Sequence, residues 1–154
     1  MTGFGGQTSF TDHCFNVKMY LLKIVGTAYK VRLVRRVHMA KKVIAFFQGF
    51  VLGLMVDQTE NYIITSNRES GFGRYDIMLE PIDKTNEKLP GIVIEFKVIN
   101  HRKENSLEET VKAALKQIEE KNYNAELVKR GVKEENIHHY GFAFRGKEVL
   151  IDGR

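Results

Sequence analysis

The feature that most constrains this chain is the run Gly91–Val98, which is apolar except for Glu95 and Lys97. Its length and its branched and aromatic side chains predict a strand. Because side chains alternate between the faces of a strand, Glu95 and Lys97 share one face. The opposite face carries Ile92, Ile94, Phe96 and Val98. A carboxylate and an ammonium group are therefore presented together, beside any group that the neighbouring strand supplies.

Asp76 lies in the preceding apolar segment, for which the sequence predicts a strand over 75–80. If Asp76 lies beside Glu95, the two carboxylates can hold a hard cation. Lys97 can then face a phosphate or an attacking water, an arrangement suited to metal-dependent phosphodiester cleavage. The alternative is an ion pair between Glu95 and Lys97 on a half-exposed strand, which is common in proteins.

Composition indicates one folded domain. The chain has 154 residues, of which 43% are hydrophobic and 28% charged, enough apolar side chains for a core. The single cysteine, Cys14, excludes an internal disulfide and a cysteine-rich zinc site. No apolar run is long enough to cross a bilayer and the N-terminus resembles no secretory signal, so a cytoplasmic protein is expected. The oligomeric state stays open.

Positive charge is concentrated near the N-terminus. No acidic residue lies between Asp12 and Asp57, whereas eight cations do, so the rest of a chain of net charge +5 carries −3 (+5 minus +8). These cations are Lys18, Lys23, Lys30, Arg32, Arg35, Arg36, Lys41 and Lys42. The segment could attract a nucleic-acid backbone, and the alternative is a solvated face or a protein-contacting arm.

The element pattern becomes clear after residue 38. We predict a basic segment of uncertain structure over 1–38 and one domain over 39–154. A helix is predicted over 43–56, buried against a sheet with Phe46 in its inner stripe and with Gly49 and Gly53 at the closest contact.

Three strands follow this helix, and a long amphipathic helix follows the strands. Ser106 and Glu109 predict its start by the capping-box spacing, and Gly131 predicts its end. Two more strands, over 137–144 and 147–151, complete the order α-β-β-β-α-β-β.

Several of these segments resemble the PD-(D/E)XK nuclease superfamily. The resemblance covers about two thirds of the chain, and more closely it is to the nuclease-like domain found behind an ATPase-like module in bacterial proteins of unknown role. The matching pieces are 49–54, 66–76, 94–97 and 114–118, followed by Tyr123 and 140–144. Glu-x-Lys alone is unspecific, but this combination in this order is specific. The resemblance implies an α/β, restriction-endonuclease-like core, a mixed β-sheet flanked by helices.

By this resemblance, Asp76 and Glu95 bind Mg²⁺ or Mn²⁺, and the carbonyl of Phe96 completes the ligand set. Lys97 is the catalytic lysine, and Gln117 matches a glutamine near the active site. The implied activity is a nuclease that acts on DNA in preference to RNA, with an ATPase-like module as a possible partner. From charge and position, and not from the resemblance, nucleic-acid contacts are expected from Arg68, Arg74, Arg35, Arg36, Lys41 and Lys42; for Arg68 a loop salt bridge is the alternative.

One departure from the family concerns the first helix. Relatives carry a glutamate there, ahead of an aromatic-His-Gly-Phe sequence, whereas here Gln48 stands at the histidine position and the glutamate position falls near Ile44. The second hypothesis is therefore a catalytically impaired nuclease fold that binds nucleic acid or a protein partner.

Four other residues could be taken for parts of the site. Glu80 is either an additional ligand or an exposed strand end. Tyr123 is expected to pack in the core, because its spacing from Gln117 is not that of one helix face. His138 and His139 are adjacent on a strand and point to opposite faces, so they form no paired metal site.

Overall fold

The computed structural model of the chain describes residues 38–146 and 148–154, with the backbone alone for 38–43. Its elements are α1 (His38–Leu54), β1 (Tyr62–Ser66), β2 (Glu69–Ser70), β3 (Gly73–Arg74), β4 (Ile77–Pro81), β5 (Gly91–Val98), α2 (Leu107–Glu120), α3 (Asn124–Lys129), β6 (Ile137–Arg145) and β7 (Glu148–Gly153). Short 3-10 turns precede β1 and β6. The predicted order is confirmed, with the β2–β3 hairpin and α3 added to it.

A five-stranded mixed sheet forms the centre, in the order β1-β4-β5-β6-β7. Its strand pairs are antiparallel except for β5 and β6, which run parallel. Two parallel neighbours need a crossover, and α2 with α3 supplies it. The predicted fold class, a mixed sheet flanked by helices, is confirmed.

The helices cover opposite faces of the sheet. Phe47 of α1 stacks on Phe144 with ring centroids 4.2 Å apart, and Phe144 in turn stacks on Phe96. Leu115 of α2 packs with Val93, which lies on the other face of β5. Phe96 therefore faces α1, whereas Glu95 and Lys97 face α2.

The expected role of the α1 glycines is wrong. Gly49 and Gly53 are exposed, and a Cβ at either position would meet nothing within 4 Å. Phe46, assigned to the buried stripe, is 57% exposed. The close approach lies on β6, where a Cβ on Gly141 would come within 2.9 Å of the Val111 carbonyl oxygen of α2. The apolar residues of α1 surround much of the helix, so periodicity alone did not identify its buried side.

The long amphipathic helix is also interrupted. It starts as predicted, with the Ser106 Oγ accepting from the Glu109 N–H at 3.3 Å, and Gly131 follows α3 with φ of +93°. Between α2 and α3, however, Asn122 adopts a left-handed conformation with φ of +51°. The Lys121 carbonyl there accepts from the Phe72 N–H at 2.7 Å. The turn between α2 and α3, called here the α2–α3 corner, thus lies where the chain contacts the β2–β3 hairpin. The helical pattern of the sequence does not predict this turn.

Predictions for residues 1–37 lie outside the described residues, and the predicted domain boundary between residues 38 and 39 stays a prediction. In the part of the chain that is described, no helix has the length and apolar character to cross a membrane.

Candidate active site

Asp76 lies immediately before β4, level with Glu95 on β5. Ile77 pairs with Ile94 in the antiparallel ladder, so continuing the register brings Asp76 opposite Glu95. The Phe96 N–H donates to Asp76 Oδ2 at 2.7 Å. Since the N–H and C=O of one strand residue project to the same edge, the Phe96 carbonyl points toward the Asp76 side as well. The sequence therefore folds two carboxylates and one carbonyl to the same end of β5.

Gln48 reaches this site from α1. Its Nε2 donates to Asp76 Oδ1 at 2.5 Å, and its Oε1 accepts from Asn67 Nδ2 at 3.4 Å. The side chain is buried, so its hydrogen bonds replace those that water would make. Sequence reasoning noticed Gln48 only as a departure from the family. The available signal was a polar residue inside the otherwise apolar run 43–54 of this helix.

Gln117 reaches the site from α2 and links its two charged groups. Lys97 Nζ donates to Gln117 Oε1 at 2.7 Å, and Gln117 Nε2 donates to Glu95 Oε1. Among the described residues, no direct ion pair joins Glu95 to Lys97. The structure thus brings Asp76, Glu95, Lys97 and Gln117 together, and one amide orients both the carboxylate and the ammonium group.

Tyr123 supports Gln117 from behind. Its ring is buried in the α2-side core, as its predicted packing requires. The prediction missed the hydroxyl, which accepts from Gln117 Nε2 at 3.2 Å and donates to the Arg74 carbonyl at 2.8 Å. This geometry arises because Tyr123 lies at the α2–α3 corner, where the helical spacing no longer applies.

Burial dominates the electrostatics of the two acids. It raises the pKa of Glu95 to about 8, with the nearby Asp76 charge adding to the shift and Lys97 opposing it. Burial also raises the pKa of Asp76, against hydrogen bonds from the Phe96 N–H and Gln48 and the charge of Lys97. Both carboxylates would ionise more readily if a cation shared the site.

The donor set fits one hard cation. Glu95 Oε2 is buried and has no hydrogen-bond partner among the described residues. Such an unpartnered anionic oxygen is costly unless a cation or a proton satisfies it. Carboxylate and carbonyl oxygens are the ligands that Mg²⁺ and Mn²⁺ prefer. The described residues contain no group of three or more His, Cys, Asp or Glu that could hold a metal. The acidic ligands of a cation at this site would therefore be two, Asp76 and Glu95.

Other candidate residues lie outside this site. Glu80 is neither a ligand nor an exposed strand end: it is buried, with ion pairs to Lys84 at 2.9 Å and Arg130 at 2.7 Å. His139 contacts Asn124 through Nε2 at 2.7 Å.

The predicted nucleic-acid contacts are only partly described. Arg68 and Arg74 are exposed, at the β2–β3 hairpin. Arg35 and Arg36 fall outside the described residues, and Lys41 and Lys42 lie on α1 with their backbone alone described. These contacts stay predictions.

Comparison with protein families agrees with this geometry. The family model of the PD-(D/E)XK nuclease superfamily matches residues 45–153, which include all the site residues above. The chain belongs to the PD-(D/E)XK nuclease superfamily. No curated protein and no solved structure matches the chain significantly.

Membership of the PD-(D/E)XK superfamily indicates a nuclease with a nucleic-acid substrate. The resemblance to this superfamily that the sequence showed is thereby confirmed. The link to an ATPase-like module stays a prediction.

Proposed function

We propose that this PD-(D/E)XK protein hydrolyses phosphodiester bonds with Mg²⁺ or Mn²⁺, and that DNA is preferred to RNA. The observation that carries the proposal is the buried Oε2 of Glu95, which lies beside the Asp76 carboxylate and has no hydrogen-bond partner in the described part of the chain. Glu95 is buried and Asp76 is half-buried, and burial raises the pKa of both carboxyl groups. Two adjacent acids of this kind contribute little to stability unless a cation binds between them.

Asp76, Glu95 and the Phe96 carbonyl would hold the cation. When bound, a divalent cation supplies Lewis-acid stabilisation of the charge on the phosphate. Gln48 and the Phe96 N–H fix the orientation of Asp76 through its two oxygens. Gln117 does the same for Glu95, so both acids are placed before the substrate arrives.

Lys97 would act on the substrate. Its ammonium group is half-buried and held by Gln117, close enough to Glu95 and Asp76 to influence both their pKa values. From this position it can neutralise charge on the scissile phosphate and orient the attacking water. Gln117 contributes by limiting where the ammonium group lies.

A second candidate is a nuclease fold that binds nucleic acid without cleaving it. The observation that favours it is that both oxygens of Asp76 already accept hydrogen bonds, one of them from Gln48. A cation would compete with the Gln48 amide for Oδ1, and α1 offers no acid in the predicted glutamate position.

Cleavage of labelled single-stranded, duplex and plasmid DNA, and of RNA, with Mg²⁺, Mn²⁺ or EDTA separates the two candidates. For the nuclease we expect Lys97→Met to lower cleavage by about a hundredfold or more while Mn²⁺ affinity changes little, because the variant loses one electrostatic group. Asp76→Asn should lower both, since a neutral amide is a poorer ligand.

Lys112→Met, which removes an exposed lysine of α2, is the matched control and should cleave like the wild type. Equal cleavage by the wild type and Lys97→Met would assign the activity to a contaminant. Nucleic-acid binding without cleavage under every metal condition would establish the second candidate instead.

A further inference from the structure

The β2–β3 hairpin presents an aromatic side chain to solvent next to the candidate active site. Phe72 lies at its turn and is 78% exposed, more than any other large apolar side chain among the described residues. A single exposed aromatic side chain is ordinary on a protein surface, so its meaning depends on how its backbone is held and on which groups surround it.

The backbone of this hairpin is held firmly against the α2–α3 corner. The Phe72 N–H donates to the Lys121 carbonyl at 2.7 Å, and Ser70 Oγ donates to the Tyr123 carbonyl at 2.8 Å. A Cβ on Gly71 would lie 2.1 Å from the same Lys121 oxygen, so the chain can approach this closely only with glycine there. The Phe72 ring therefore extends from a fixed backbone, which lowers the entropy lost when the ring binds something.

The hairpin is continuous with the acidic site. Arg74 ends β3 two residues before Asp76, and its carbonyl accepts from Tyr123, which also contacts Gln117. On the other side, the Asn67 N–H donates to the Asp76 carbonyl at 3.1 Å. Both ends of the hairpin that carries Phe72 are thus hydrogen-bonded to residues that position the site.

The surroundings of Phe72 favour an anionic ligand. Arg68, Arg74 and Lys121 are exposed, on the hairpin or on the corner that it contacts. Glu69 is the acid within the hairpin. The acids preceding Lys121 are engaged in ion pairs, Glu119 with Arg154 and Glu120 with Lys116.

We propose that Phe72 stacks on an unpaired base of the nucleic-acid substrate while the neighbouring cations contact its backbone. This inference rests on the proposed function and adds a substrate class to it, namely single-stranded or locally unpaired nucleic acid. Bases within a duplex already cover each other's faces, whereas every unpaired base offers a face to an aromatic ring without regard to its identity.

The chain has no tryptophan, so Phe72→Trp introduces a single fluorescent reporter. We expect its emission to be quenched when a single-stranded oligonucleotide is added in EDTA, where cleavage is suppressed. Ile82→Trp is the matched control, because Ile82 is 53% exposed at the opposite end of β4 from Asp76. Its emission should stay unchanged.

Affinity measured by fluorescence anisotropy supplies the second readout. We expect Phe72→Ala to weaken single-strand binding about tenfold or more, the scale of one lost stacking contact, and duplex binding by less than about threefold. Phe72→Trp and Ile82→Ala should bind like the wild type, and similar melting temperatures would show that all variants are folded.

Three results would overturn the inference. Single-strand affinity unchanged in Phe72→Ala, with metal-dependent cleavage intact in the wild type, would remove the stacking role and leave the proposed function standing. The same holds if Phe72→Ala changes only the sedimentation of the protein, since Phe72 would then cover a second copy of the chain. Absence of both nucleic-acid binding and cleavage in the wild type would remove the inference and the proposed function together.

Discussion

At the scale of single residues, two glutamines from helices on opposite faces of the sheet hold the two acids. Gln48 of α1 donates to Asp76, and Gln117 of α2 donates to Glu95. An amide hydrogen bond favours the ionised carboxylate without adding charge, which suits a site that is to receive a cation. Gln48 therefore orients Asp76 from α1, the helix on which the family resemblance predicts a glutamate.

Replacing Gln48 tests this support. Gln48→Met keeps most of the side-chain volume but removes the amide, so Asp76 Oδ1 loses its donor. We expect Mn²⁺ affinity, measured by isothermal titration calorimetry, to fall about 10- to 100-fold, as is usual when a group that orients a metal ligand is lost. Leu52→Met on the same helix is the control. An affinity equal to that of the wild type would mean that the Phe96 N–H alone positions Asp76. A higher affinity would mean that the Gln48 amide competes with the cation for Oδ1, as the second candidate function requires.

The raised pKa of Glu95 predicts how stability depends on pH in the metal-free protein. Burial raises this pKa from 4.5 to about 8, so between these values the folded state holds a proton that the unfolded chain releases. The free energy of unfolding must therefore decrease as pH rises through this window, by an amount on the order of a few kcal/mol. Asp76, whose pKa is also raised, contributes with the same sign.

Urea unfolding in EDTA at several pH values between about 5 and about 8.5 measures this dependence. The pKa of His139 is lowered by burial, which has the opposite sign near its usual range, so the informative quantity is the difference between wild type and Glu95→Gln. The free energy of unfolding of Glu95→Gln minus that of the wild type should increase as pH rises. A constant difference would show that Glu95 ionises normally.

At the scale of elements, the tight helix–sheet contact is made by α2 and not by α1. Gly141 pairs with Glu95 across the parallel strands and lies against Val111 and Ala114 of α2. The absence of a side chain at Gly141 lets α2 lie close to the sheet, and this closeness places Gln117 over Glu95.

Two glycine substitutions should therefore have opposite effects. Gly141→Ala should lower the free energy of unfolding by about 1–3 kcal/mol, because the backbone oxygen of Val111 cannot move easily. Gly53→Ala, in open space on α1, should raise it by up to about 1 kcal/mol through better helix propensity. Thermal and urea denaturation measure both. A neutral Gly141→Ala would mean that α2 can shift without cost.

At the scale of the whole molecule, the chain carries a net charge of +5 that is concentrated ahead of the acidic site in sequence. The described domain supplies the proposed metal ligands and the Phe72 hairpin. The cations of the N-terminal region are expected to contribute attraction that is independent of base sequence.

Neutralising Arg35, Arg36, Lys41 and Lys42 with glutamine tests that division. The change lowers the net charge to +1 (+5 minus 4). We expect weaker nucleic-acid binding and a salt dependence reduced by up to about 0.7–0.9 per lost phosphate contact, measured by anisotropy over a range of salt concentrations. Turnover at saturating substrate should change little. An unchanged salt slope would assign these residues to solvent or to a protein contact.

Patterns over a few neighbouring residues were enough to predict many local features of this protein. Alternation along Gly91–Val98 predicted that Glu95 and Lys97 share a face, and the Ser106 cap predicted the start of α2. The order of elements and the position of Asp76 next to the neighbouring strand followed from the same short-range patterns and from the family motif. Such features depend on residues a few positions apart, so the sequence displays them directly.

The side chains that complete the site from distant parts of the sequence could be identified only from the folded structure. Gln48 contacts Asp76 across 28 positions, and the Tyr123 hydroxyl contacts the Arg74 carbonyl across 49. These contacts depend on which side of each helix faces the sheet and on where the α2–α3 corner breaks. Packing of the whole core settles both, because a nearly all-apolar helix such as α1 has no single buried side until the sheet is in place.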